Sequence, residues 1–250
     1  MRFQKEAIDE MAKEKSSSKE KVQAAIISIL ILANRFRNDG GRFSFGDYPE
    51  LDEEVNRILI ALSDDLLKEA EERAIRLLEM LGEAEDEEAI LEEAERGENG
   101  IVWALDMHSS NLKHVLEAWI AIMFARSLSV NETYTKVITY MDAPDASGMW
   151  RDAVRKRLVD PNEVRFGKGY QRKVADAFAI LLQTLIYTSF LAGTIRKGRK
   201  GGAIGYRTFR QSGYDCALCD ALTERIWPIG VMVLPAHPRC VCGVEFVYDV

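Results

Sequence analysis

Apolar residues recur at three- and four-residue steps along most of the chain, which is the pattern of an α-helix with one buried face. This pattern predicts helices over Lys5 to Arg37, Asp52 to Leu81 and Ile101 to Ser129. The first helix is expected to break at Ser16–Ser18, where a serine can cap the helix that follows. The core of the third is expected to contain three aromatic residues, Trp103, Trp119 and Phe124.

Two further helices are predicted, at Trp150 to Leu158 and at Gly169 to Ile195. The second contains 19 residues without a charge, Ala177 to Ile195. Its polar residues fall mainly on one side of the helical wheel, so we expect a two-sided helix of a globular core rather than a membrane span.

From Gly198 the pattern changes to short runs of strand-forming residues separated by Gly and Pro. Strands are predicted at Ala203 to Gln211, Ile226 to Leu234 and Gly243 to Val250. The predicted fold class is therefore mainly α (α+β), with a helical N-terminal and central region and a small β-containing C-terminal module.

Composition and charge divide this helical chain further. With 250 residues, 47% hydrophobic and 29% charged, it is too apolar for a disordered chain, and four cysteines are too few for a disulfide scaffold. Residues 1–150 hold 17 Lys and Arg against 31 Asp and Glu, a net charge of −14. Residues 151–210 hold 14 against 4, a net charge of +10.

These charges indicate an acidic helical region, a basic helical region and a small tail module, which we group into two domains. The first is an acidic helical region over 1–145. The second covers 146–250 and combines basic helices at 150–196 with a small β/Cys-His module at 203–250, which we call the C-terminal module.

All four cysteines lie in the C-terminal module. Cys216 and Cys219 form a Cys-x-x-Cys turn, and a second cluster, His237, Cys240 and Cys242, follows after 17 residues. Two such clusters brought together by a β-hairpin supply the four soft ligands of a tetrahedral zinc. Four of the five residues are expected to bind the metal, and the all-cysteine set is favoured because Cys240 and Cys242 share one face of a strand.

Two disulfides, or neither metal nor bridge, are the alternatives. The N-terminus lacks the pattern of a secretory signal, so we expect synthesis and retention inside a cell, where thiols stay reduced. A zinc with four protein ligands would be structural, because a catalytic zinc keeps an open position. No Ser/His/Asp set or phosphate loop is recognisable, and we expect no enzymatic activity.

The last hundred residues carry a motif that has a family likeness. A long helix over Tyr170 to Gly193 precedes the segment Tyr206 to Cys216, and then comes Leu234-Pro235-Ala236-His237-Pro238-Arg239-Cys240-Val241-Cys242. This order resembles the C-terminal domain of the phage Mu protein F-like head morphogenesis family, the minor capsid proteins of tailed phages. The resemblance covers less than half of the chain and is clearest over 170–245. The sequence differs from the family pattern at Val241, where the family often has Arg.

The resemblance implies a non-enzymatic, structural role in head assembly or at the portal inside the capsid. It implies partners among other head proteins, such as the portal and major capsid proteins, with packaged DNA as a further contact and no membrane. The expected location is the virion, in the capsid interior or near the portal.

The sequence also allows two alternative functions. A zinc-stapled nucleic-acid-binding protein would use the basic segment 151–210, with Arg196, Lys197, Arg199, Lys200, Arg207 and Arg210 on phosphates. A zinc-stapled ββα nuclease would need a helix with active-site ligands after or between the cysteine pairs, and none is predicted there.

Overall fold

The computed structural model describes residues 2–37, 43–83, 100–142, 174–211, 216–223, 225–235 and 240–249. The predicted helix at Trp150 to Leu158 and the predicted domain boundary at 145/146 lie outside these residues.

The described residues form a mainly helical fold with one small antiparallel sheet, which confirms the predicted fold class. The helices are α1 (Arg2–Asn34), α2 (Pro49–Leu81), α3 (Ile101–Ala125), α4 (Val130–Asp142), α5 (Val174–Lys200) and α6 (Ala217–Thr223). The strands are β1 (Ala203–Phe209), β2 (Ile226–Pro228) and β3 (Gly243–Tyr248), and a 3-10 turn covers Phe45–Asp47.

Helix α1 runs for 33 residues without interruption, so the predicted break at Ser16–Ser18 is wrong. Ser18 is fully buried, and so is Glu14 one turn earlier, which pairs with Arg73 of α2. Tertiary packing on both sides of the serines therefore overrides their weak helix propensity.

The third predicted helix is two helices. Helix α3 ends at Ala125, and Ser127 adopts a positive φ of 52°. Ser129 then caps α4, since its hydroxyl accepts from the Glu132 N–H at 3.2 Å while the Glu132 carboxylate accepts from the Ser129 N–H at 2.9 Å. This reciprocal capping box starts a new helix.

The aromatic core of α3 is only partly as predicted. Trp119 is fully buried and Phe124 is 4% exposed, but Trp103 is 51% exposed. The prediction for Trp103 is wrong because it lies in the first turn of α3, beside Val102, which is also half exposed.

Contacts group the chain into two compact units. One combines 1–16, 67–102 and 179–250, and the other combines 17–66 and 103–178. The second unit has its own core, in which Trp119, Phe45 and Ile26 are among the largest fully buried side chains. The first unit contains the C-terminal module and all four cysteines.

Helix α5 is the central helix of the first unit. Two of its polar side chains, Gln183 and Tyr187, are buried rather than exposed to solvent. Gln183 instead donates to the Met11 carbonyl of α1 at 2.7 Å. By length and composition Asp176–Lys200 could cross a membrane, but 67% of its apolar window is buried, as is common for a core helix.

The sheet has the order β2-β1-β3, and both pairings are antiparallel. Tyr206 in the central strand pairs with Trp227 on one side and with Phe246 on the other. The predicted second strand ends early, at Pro228. The Tyr206 hydroxyl donates to the Val231 carbonyl at 2.5 Å and accepts from the Val233 N–H at 3.2 Å, which holds the following residues as a loop.

Gly205 of β1 permits the close pairing with β2. A Cβ at this position would lie 2.7 Å from the Trp227 carbonyl oxygen, a main-chain atom that cannot rotate away. We expect Gly205→Ala to lower the free energy of unfolding by about 1–3 kcal/mol through this overlap. Gly230→Ala, where an added Cβ meets nothing within 4 Å, is the matched control. Equal urea midpoints for the two variants would contradict the expectation.

Candidate metal centre

Helix α6 and the approach to β3 carry the four cysteines. Cys216 directly precedes α6, and its carbonyl accepts from the Asp220 N–H at 2.9 Å, which forms the first turn. Cys219 lies in that turn, three residues on, so the two cysteines are neighbours on one side of the turn. Cys240 and Cys242 come just before β3 and are separated by one residue.

Three of these thiols form a compact buried cluster. Cys219, Cys240 and Cys242 are each 2% exposed, and their sulfur atoms all lie within 4.8 Å of one another. The Sγ atoms of Cys219 and Cys240 are 3.8 Å apart. Two thiolates on one tetrahedral zinc, with Zn–S bonds of about 2.3 Å, would be about 3.8 Å apart. The separation is that of two ligands of one ion and is far longer than a disulfide bond.

The fourth thiol lies at the edge of this cluster. Cys216 is partly exposed, and its side chain hydrogen-bonds with that of Cys219. Cys219 also hydrogen-bonds with the thiols of Cys240 and Cys242. The structure thus brings together three of the five predicted site residues and places Cys216 beside Cys219, outside the mutual cluster, whereas His237 lies outside the described residues.

The environment of the cluster disfavours bare thiolates. Burial raises the pKa of the Cys219 thiol, and its hydrogen bonds with Cys242 and Cys216 raise it further. Burial also raises the pKa of the Cys242 thiol. A bound divalent cation reverses this preference, because it stabilises the thiolate form of each ligand directly.

The comparisons with known proteins identify no relative. No protein-family model, curated protein or solved structure matches the chain.

Among the residues that the structure describes, the metal-donor cluster consists of cysteines alone. Soft, buried sulfur ligands suit zinc and other thiophilic metals and do not suit magnesium or calcium. Such a site can hold two distant segments of the chain together. Cys219 and Cys240 are 21 residues apart, so a shared ion would close the loop between them.

Helix α6 was not predicted; it begins inside the first cysteine pair and ends four residues after Cys219. It spans only seven residues, too few to show a helical period. The carboxylate of its Asp220 pairs with Arg210 at 2.6 Å. A Cys-x-x-Cys turn that continues into Asp-Ala-Leu-Thr was the available signal.

Several residues of the predicted basic surface make contacts within the chain. Lys197 donates to the Leu81 carbonyl at the end of α2 at 2.7 Å, and Lys200 pairs with Glu83 at 2.7 Å. Arg210 is taken up by Asp220. These charges cap a helix and join elements of the first unit. The basic residues of 151–173 lie outside the described part of the chain.

Proposed function

We propose that the chain is a structural, non-enzymatic protein of a tailed-phage head. It acts in head assembly or at the portal inside the capsid, and its C-terminal module is closed by one structural zinc. The observation that carries this proposal is the buried cluster of Cys219 with Cys240 and Cys242, with Cys216 beside Cys219. Cys240 and Cys242 belong to the phage-type motif His237-Pro238-Arg239-Cys240-Val241-Cys242.

The metal is assigned as zinc from its donor set. Three buried sulfurs with a fourth beside them match a tetrahedral Cys₄ site, and 3.8 Å between Cys219 and Cys240 fits ligands on one zinc. Cys216 is the fourth ligand in the favoured set, with His237 as the substitute.

The role of the metal is structural because the protein fills its coordination sphere. Four protein ligands leave no open position for a water or a substrate. The described cluster also contains no carboxylate that could act as a general base. The module then serves as a rigid platform, and its partners are other head proteins, such as the portal and major capsid proteins.

The nucleic-acid-binding alternative draws less support. Lys197, Lys200 and Arg210 of the basic segment already bind groups of the chain itself. An affinity for duplex DNA that falls steeply with salt would favour this alternative, because phosphate contacts release counterions.

Genetic complementation tests the role in the phage head. Deleting the coding sequence from a phage that encodes the chain should leave few infectious particles and abnormal heads in electron micrographs. Wild-type protein supplied from a plasmid should restore both, and Cys240→Ser should not. Normal heads and normal titre after deletion would contradict the proposal, whatever the metal content of the protein.

A further inference from the structure

The first turn of α1 contacts the metal centre from the opposite end of the sequence. Gln4 is 7% exposed, and its amide nitrogen donates to the Tyr187 hydroxyl at 3.0 Å and to the Val241 carbonyl at 3.3 Å. Its amide oxygen accepts from the Gln211 side chain at 3.0 Å. One side chain of α1 is thus bonded to α5 and to two segments of the C-terminal module.

The same partners hold one of the metal ligands. The Tyr187 hydroxyl donates to the Cys242 carbonyl at 2.9 Å. The main chain of Gln211 hydrogen-bonds with the Cys242 thiol. Cys242 is therefore fixed at its carbonyl by Tyr187 and at its sulfur by Gln211, and Gln4 bonds to the side chains of both.

The fit around Gln4 is close. A Cβ added to Gly243, the residue after Cys242, would lie 2.4 Å from the Phe209 ring, 2.5 Å from the Gln4 amide nitrogen and 2.9 Å from its oxygen. Glycine at 243 therefore lets Gln4 reach the chain beside the ligand. Tyr187 is fully buried, so its hydroxyl depends on these protein partners.

We propose that Gln4, Tyr187 and Gln211 are positioning residues of the metal centre, and that metal binding is coupled to the docking of the first turns of α1. This inference rests on the metal centre of the proposed function. Groups that orient metal ligands from outside typically affect metal affinity 10–100-fold. Because coupling is reciprocal, the bound metal stabilises the docked N-terminal segment by the same factor.

The zinc affinity of the full-length protein tests the positioning role of these residues. It is measured by competition with a chromogenic chelator. Gln4→Ala should weaken binding about 10-fold or more. Tyr187→Phe, which removes only the oxygen, should weaken it less. Gln23→Ala on the same helix and Tyr134→Phe on α4 are the controls and should bind as wild type.

Cobalt substitution separates positioning from general stability. In Gln4→Ala the thiolate–cobalt bands should change in position or intensity while circular dichroism shows a folded helical chain. Identical spectra and equal zinc affinity in wild type and Gln4→Ala would overturn the coupling.

Hydrogen exchange tests the coupling between metal binding and the docking of the first turns of α1. Removing the metal from wild type should speed amide exchange in residues 2–16, with residues 49–66 unchanged as the internal control. Faster exchange in 216–223 alone would overturn the coupling and leave the metal centre in place. A wild type that binds no zinc would overturn both together.

Discussion

Cys240→Ser is expected to abolish stoichiometric zinc binding and to unfold the C-terminal module. The buried Cys240 sulfur lies 3.8 Å from that of Cys219, so its loss leaves an incomplete ligand set. Structural zinc sites contribute on the order of 10 kcal/mol to the folding of small modules. The hydrophobic core of so small a module cannot compensate for the loss of this free energy by packing alone.

The measurements are zinc content per chain by mass spectrometry and thermal unfolding of the full-length protein. Wild type should contain one zinc, and chelation should lower its melting temperature to that of the variant. Val241→Ser is the matched control, because Val241 lies between the two thiols and its side chain is outside the cluster. It should retain the metal and nearly all of the stability.

Two results would contradict this expectation. A wild type that contains no metal and has the same melting temperature as Cys240→Ser would contradict the structural zinc. A wild type that lacks metal and also lacks reactive thiols would favour the two disulfides instead. Titration of free thiols in the denatured protein, with and without reductant, distinguishes these two results.

Sequence periodicity was sufficient for the long helices because each buries a wide apolar stripe. In α2, Leu59, Leu66 and Leu77 are all buried at helical spacing, and the predicted helix differs from the observed one only at its start. Spacing also indicated that the thiols would approach one another, although Cys240 and Cys242 lie just before β3 and not in a strand.

The errors have a common physical cause, which is that distant contacts outweigh local preference. Ser16–Ser18 favours a helix start locally, but burial of Ser18 holds the helix intact. The bonds of Gln4 join residues 183 to 237 positions apart. No local pattern marks a glutamine for such a role, so this part of the candidate site required the structure.

Arg73→Met is expected to lower the free energy of unfolding by about 3 kcal/mol or more. Arg73 is 11% exposed and binds Glu14 at 3.0 Å and Glu10 at 2.9 Å, together with Glu69 on its own helix. The Glu14 side chain is fully buried. Removing the guanidinium takes one cation away from a buried carboxylate, which is the costly way to break a buried pair.

Arg57→Met is the matched control. Like Arg73, Arg57 lies on α2 and pairs with more than one glutamate. Its partners are Glu53 and Glu54, but its side chain is 64% exposed. Its loss should change stability by no more than about 0.5 kcal/mol, because exposed pairs contribute little. The double variant Glu14→Leu/Arg73→Met removes both charges and should recover much of the loss. Urea denaturation of all four proteins gives the comparison.

The same network makes stability sensitive to acid. Burial raises the pKa of the Glu10 carboxyl, but hydrogen bonds from Lys13 and Arg73 outweigh it and hold the pKa below its ordinary value of 4.5. A depressed folded-state pKa stabilises the protein fully above the ordinary value, and the contribution is lost as the pH falls through the folded value. Wild type should therefore lose stability below about pH 4.5, and Arg73→Met, with one hydrogen bond fewer to Glu10, should lose less over the same interval. Parallel pH profiles for the two proteins would contradict a role for Arg73 in holding Glu10 ionised.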